Sequence, residues 1–372
     1  MRPDKKVMDI QGTCYTLFAY DVGLAVNLEG AALAMAELRR RTPLGQKRRA
    51  PPWAEQMTGP LISSQVAPSI DLGICRTEPQ VELVIYEFGA VSVTYTIPVQ
   101  GSLENLVDIS AMLGDAMALA DDSRERVKHL LTAIRGAVQR PYVAMPMEDY
   151  AIFSLQLPAG TDISCLANEY GTIVARILRG ERSALSTQES TDALAQRISY
   201  GEKDVTLADW HAAIVVGEDT SEERWVLEYA NVELLELRLL DSKIDRNLDD
   251  AYIQFSQPER LAAKIWGALA GTDMHSIAQL QTDTAILYEG VHNSFKLLGD
   301  QYLARLYRAV SGRLHLSEWD ASIERKMRTW DSIYQKMSDR ASGWRTEALE
   351  WIIIALIMIE TVPALFPGLF HK

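Results

Sequence analysis

The chain has 372 residues, 48% of them hydrophobic and 8% aromatic, which is enough for two domains or for one domain with a long helical extension. Its formal net charge of −13 argues against bulk nucleic-acid binding, because that needs a basic face to neutralise phosphates. Three scattered cysteines, Cys14, Cys75 and Cys165, supply neither a disulfide framework nor a zinc spacing and fit a reducing compartment.

Residues 1–10 contain basic side chains and two aspartates but no continuous apolar stretch, so neither a secretory signal nor a mitochondrial presequence is predicted. Residues 13–27 are rich in aromatic and β-forming side chains and predict a strand, and the Ala-rich run Leu28 to Leu38 predicts a helix. Arg39, Arg40, Arg41, Lys47, Arg48 and Arg49 then place six cations in eleven residues, with Pro51 and Pro52 behind them. That cluster reads as a solvated loop, with anionic lipid and RNA as alternative contacts. Residues 81–99 predict a hairpin turning near Gly89. Helical patterns follow at 103–120 and 123–138, then a strand at Tyr150 to Leu157, a helix at Leu166 to Leu178 and a strand at Trp210 to Val216. The hairpin and the uneven spacing predict an α+β domain over residues 1–218 rather than a repeated βαβ wheel.

Beyond Gly217 the strand character disappears, and residues 219–346 read as an all-helical region. In its first part Val226, Leu227, Val232, Leu234, Leu235, Leu237, Leu239 and Leu240 surround a helix on nearly all sides, so the helix is predicted to be buried. Burying Glu228, Asn231, Glu236 and Arg238 there requires partners, and Arg238 can meet Asp241 three residues on. This reads as a structural polar network that fixes domain docking, with a ligand or metal site as the alternative. Asp241, Asp245 and Asp249 recur every four residues as a carboxylate ladder, a weak candidate for a divalent cation; Lys243 and Arg246 beside them favour a solvated face. A helix over His275 to Gly312 is predicted to pack antiparallel to the next one, with the turn at Gly312 to Ser317. That next helix carries a four-three stripe of Trp330, Tyr334, Met337, Ala341, Trp344, Ala348, Trp351 and Ala355, which serves either intramolecular packing or an oligomer seam.

The stretch Trp351 to Phe370 is twenty residues of nearly continuous apolar character, and as a helix it would rise about 30 Å, the thickness of a bilayer core. A single membrane anchor over 347–370 is predicted. Lys336, Arg340 and Arg345 ahead of it predict a cytoplasmic N-terminal body at a bacterial inner membrane. Glu360 within the stretch then needs a partner on another subunit or another membrane protein, unless it snorkels to the surface. The six histidines, His129, His211, His275, His292, His315 and His371, fall in no nucleophile motif or metal spacing, and neither a P-loop nor a dinucleotide fingerprint follows a predicted strand. No catalytic residue and no cofactor are predicted.

The segments Leu227 to Asp241 and Ala348 to Glu360 together resemble the sporulation and meiotic-nuclear-division family (RMD/YagE type), mainly over residues 223–362. The resemblance implies an α+β N-terminal portion, a helical portion and a C-terminal membrane helix. Mitochondrial members of that family are tied to organelle translation and to holding ribosomes near the inner membrane. The expectation is a tail-anchored, non-enzymatic scaffold or assembly factor that self-associates, contacts membrane lipid and binds an unidentified protein partner. The alternatives are an oligomeric ion channel lined by Glu360, although the Gly-Met-Asn loop of CorA-type channels is missing, and an enzyme whose residues lie far apart in sequence.

Overall fold

The structure is a computed structural model that describes residues 8–35, 39–40, 59–256, 282, 288–289 and 301–365. Eleven strands alternate with helices up to residue 216, and only helices are described after that. The chain is thus a mixed α+β protein with an N-terminal sheet and a helical C-terminal region.

The centre of the sheet is β1, Asp9–Asp21, a thirteen-residue strand whose buried positions spread over both faces in its second half. It pairs antiparallel with β6, Ala90–Ser102, on one side and with β8, Glu148–Gln156, on the other. From β6 the sheet continues through β5, Gln80–Ile85, and β4, Leu61–Val66, to the two-residue edge strand β3, Arg39–Arg40. From β8 it continues through β11, Ala212–Val216, and β10, Val205–Ala208, to β9, Arg197–Ile198. The β8–β11 pairing is the parallel one. A separate ladder joins β2, Ala25–Val26, to β7, Val138–Gln139. The hairpin between β5 and β6 turns at Gly89, whose φ of 96° is left-handed and whose absent side chain leaves room for the Gly23 carbonyl; a Cβ would lie 2.0 Å from that oxygen.

Because side chains alternate along a strand, the registers sort residues by face. Cys14, Phe18 and Tyr20 join Leu83, Val93, Tyr95, Phe153 and Ile214 in the main core. That core is closed by α1, Leu28–Ala34; α2, Leu103–Leu113; α3, Met117–Ile134; α4, Cys165–Asn168; and α5, Gly171–Arg179, while α6, Thr187–Ala193, packs on α5. On the other face, Ala19, Val84 and Tyr86 meet Tyr229, Val232, Leu235 and Leu239 of α7, Ser221–Ser256. The sheet is therefore covered on both sides, which explains why β6 is buried nearly throughout its first ten residues. All three cysteines are free.

Two more helices follow, α8, Gln301–Arg313, and α9, Leu316–Leu365. The link between them is two residues long and ends on His315, a non-glycine residue at φ 56°. Of the rest of the helix expected over 275–312, only residues 282, 288 and 289 are described, and they are helical. Two compact units result: residues 1–240 with 282–320, and residues 241–281 with 321–372.

The membrane anchor is not upheld. Among the described residues no helix is long and apolar enough to cross a membrane, and the single-pass, N-terminus-in-cytoplasm arrangement falls with it. The apolar run is the end of the fifty-residue helix α9, and only nine residues, Trp351 to Ile359, separate Glu350 from Glu360. Nine helical residues rise about 14 Å, half of a bilayer core of about 30 Å.

Candidate functional site

The buried polar side chains of α7 lie against the sheet and against α8. Arg224, one turn into the helix, pairs with Glu82 of β5, stands 4.3 Å over the Tyr15 ring and lies 3.9 Å from the Glu228 carboxylate. Glu228 is 3% exposed, and burial raises its pKa to about 7 against the opposing pull of Arg224. Asn231 donates to the Glu148 backbone carbonyl at 3.5 Å. Glu233, on the α8 side, accepts the Tyr307 hydroxyl, and burial lifts its pKa to about 7 as well. Glu236 is buried near Tyr142, whose hydroxyl donates to Asp21; burial, then Asp21, then Glu236 push that phenol upward. Arg238 is half-exposed. Its guanidinium goes to Glu148 at 2.6 Å and lies 5.9 Å from the Trp319 ring, so the expected pair with Asp241 does not form. The physical reason is that Glu148, at the start of β8, is a partly buried carboxylate whose charged form is disfavoured by desolvation and favoured by a cation beside it.

Asp241 meets Lys326 of α9 instead, at 2.7 Å, and the same ammonium reaches Asp245 at 2.6 Å. The carboxylate ladder thus holds a cation from its own chain, and Asp249 is exposed. Among the described residues no group of three or more His, Cys, Asp and Glu side chains is placed to hold a metal ion. Arg39 and Arg40 are not loop residues: they add a short edge strand to β4, while Arg41, Lys47, Arg48 and Arg49 lie outside the described residues. The Glu360 side chain does so too.

A second network has no counterpart in the sequence reading. Asp209, in the turn between β10 and β11, is fully buried and paired with two guanidiniums, Arg179 of α5 at 2.6 Å and Arg313 at the end of α8. Its carboxylate also accepts the Trp210 backbone N–H at 2.7 Å, and its carbonyl accepts the Tyr150 hydroxyl at 2.7 Å. Both arginines reach Asp192 at 2.7 Å, and Arg179 reaches Glu189 at 3.0 Å. Gly180 ends α5 at φ 65° directly against His211, leaving 2.6 Å between a hypothetical Cβ and the imidazole Nε2. On this base the Trp210 indole stands 53% exposed, with Arg179 5.8 Å from its ring. Tyr200, in the connection between β9 and β10 at the other end of β10, is exposed and packs on Tyr302 at 5.3 Å.

The chemistry of the Asp209 network is neutralisation, a buried carboxylate set between two guanidiniums. In the α7 network only part of the charge is paired, Arg224 with Glu82 and Arg238 with Glu148, while burial pushes the Glu228 and Glu233 carboxyls toward their protonated forms.

Comparison with known proteins finds a family described as Uncharacterized protein MJ0711, N-terminal domain, whose profile matches residues 11–222. The Uncharacterized protein MJ0711 of Methanocaldococcus jannaschii is 27% identical over 222 residues, covering 59% of this chain and 66% of that protein, just under two thirds of its length. No solved structure matches. The resemblance to the sporulation and meiotic-nuclear-division family is overturned by this result, because the family match lies in the α+β half and ends at residue 222, where that resemblance began. Short apolar segments with a few acids, such as those at 227–241 and 348–360, recur wherever a helix is buried, so they discriminate families poorly. With more than half of its length matched, the chain belongs to the family of the MJ0711 N-terminal domain.

Proposed function

We propose that the chain is a non-enzymatic scaffold or assembly factor whose α+β body binds another protein at the β10–β11 turn around Trp210. The observation that carries this reading is a half-exposed tryptophan fixed on a turn whose aspartate is locked by two arginines. Tryptophan, tyrosine and arginine are the side chains that dominate protein–protein hot spots, and a pre-organised anchor loses little entropy on binding. The buried carboxylates support the same reading, since Asp209, Glu233 and Asp241 are engaged with Arg, Tyr and Lys groups of their own chain.

The test is site-specific photo-crosslinking in cells of the source organism, with the photoreactive residue at position 210 and a control at the more exposed Met145, 80% against 53%. A reproducible protein adduct from position 210, absent from position 145, is expected. Indistinguishable adduct patterns from the two positions would remove the basis for the proposal.

A further inference from the structure

Helix α9 changes character along its length. Ile323 and Trp330 are buried, whereas Trp351, Ile352, Ile353, Ile354, Leu356 and Met358 are between 49% and 71% exposed. At about 100° per residue these six side chains point in every direction around the helix axis. A single neighbouring helix covers a stripe, not a circumference, so the segment presents more apolar surface than intrachain packing has taken up. At roughly half exposure, six large side chains offer on the order of 600 Å². Because these side chains encircle the helix, any one face presents about half of that, the scale of a weak, concentration-dependent contact rather than the roughly 800 Å² that each partner contributes to a standard interface.

We propose that residues 351–358 form a self-association surface, and that its occupant is the same segment of a second copy of the chain. A two-fold contact needs only one self-complementary patch, and an all-round apolar helix meets that condition whichever face it turns to its copy. Each copy carries a net charge of −13, so the copies repel one another, and the attraction comes from apolar burial. Salt therefore strengthens the association by screening the repulsion, the reverse of what a charged partner would show. This inference is independent of the reading of Trp210, which concerns a different unit of the molecule.

The experiment is sedimentation equilibrium on the full chain from about 1 to about 100 μM at low and high NaCl. A dimer or small oligomer is expected, with a dissociation constant that falls as salt rises. Ile353→Glu combined with Leu356→Glu raises that constant at least about tenfold while the thermal midpoint stays put, because both positions are exposed. Trp351→Gln is the milder second variant and shifts the constant in the same direction. A monomer throughout the range overturns the proposal, as does unchanged association in the variants. So does a chain that floats with phosphatidylcholine–phosphatidylglycerol vesicles through this segment while remaining monomeric in detergent.

Discussion

Asp209 has no solvent exposure, and its side chain faces Arg179 and Arg313, which are themselves about 15% exposed. Removing Asp209 leaves two largely buried guanidiniums with only the half-exposed Asp192 and Glu189 as partners, a loss worth more than the attraction of a single pair. Asp209→Ala is expected to destabilise the fold by about 3–5 kcal/mol, read as a lower denaturant midpoint at unchanged slope. Asp209→Asn, which keeps an acceptor oxygen but loses the charge, falls between that variant and the wild type. A loss within about 0.5 kcal/mol for Asp209→Ala, the ordinary size for a surface site, contradicts the network's structural role. None of this was legible in the sequence. Arg313 lies 104 residues from Asp209, and a single aspartate before a Trp-His pair carries no local pattern that asks for two cations. The isolated Gly89, by contrast, was legible, because a hairpin turn with left-handed φ has few other residues to choose from.

At the scale of elements, α7 was the most readable piece of the chain. Its all-round apolar pattern demands burial, and the polar residues inside that pattern mark where partners must come from. The partners themselves were not readable. Glu82 sits 142 residues from Arg224, and Glu148 sits 90 from Arg238, so strand pairing and not helix periodicity decides who meets whom. Glu233 escaped notice although the same logic applies to it. Its consequence is a pH dependence. Glu228 and Glu233 both have folded-state pKa values raised by burial to about 7, from 4.5 in the unfolded chain. An acid shifted upward favours the fold in its protonated form, so this contribution is complete below pH about 4.5 and is lost as pH rises through about 7. Unfolding free energy measured by urea titration is expected to decline across that window. The double variant Glu228→Gln, Glu233→Gln is expected to flatten the decline and to be more stable at pH 8 by a few kcal/mol, on the order of the linkage energy. Gln keeps an acceptor for Tyr307, and Arg224 keeps Glu82. A decline that persists unchanged in the double variant assigns the dependence to other groups.

For the whole molecule, the sequence reveals the change from mixed strands and helices to helices alone near residue 218, because strand-forming composition ends there. The strand order does not follow from it: β1 lies between β6 and β8, and β8 pairs parallel with β11, arrangements fixed by crossovers through helices rather than by adjacent residues. The end of the chain misled for a different reason, since hydropathy averaged over twenty residues hides Glu360 within the run and takes no account of Glu350 just ahead of it. The architecture implies a gradient of local stability. β1 is paired on both sides and covered on both faces, so its amides open only with the fold as a whole. In α9, the side chains of Trp351, Ile352, Ile353, Ile354, Leu356 and Met358 are about half or more exposed, which places the opening of this stretch near the low end of the scale. Native-state hydrogen exchange followed by mass spectrometry, on dilute protein carrying Ile353→Glu to suppress self-association, is expected to show this order: β1, β6 and β8 slowest, residues 351–358 among the fastest. In concentrated wild-type protein the same helical stretch is expected to slow down while the sheet does not change, because only a contact between copies protects it. Equal protection of β1 and of residues 351–358 in the dilute variant would mean that the segment is already covered within its own chain, and both the gradient and the self-association surface would have to be given up.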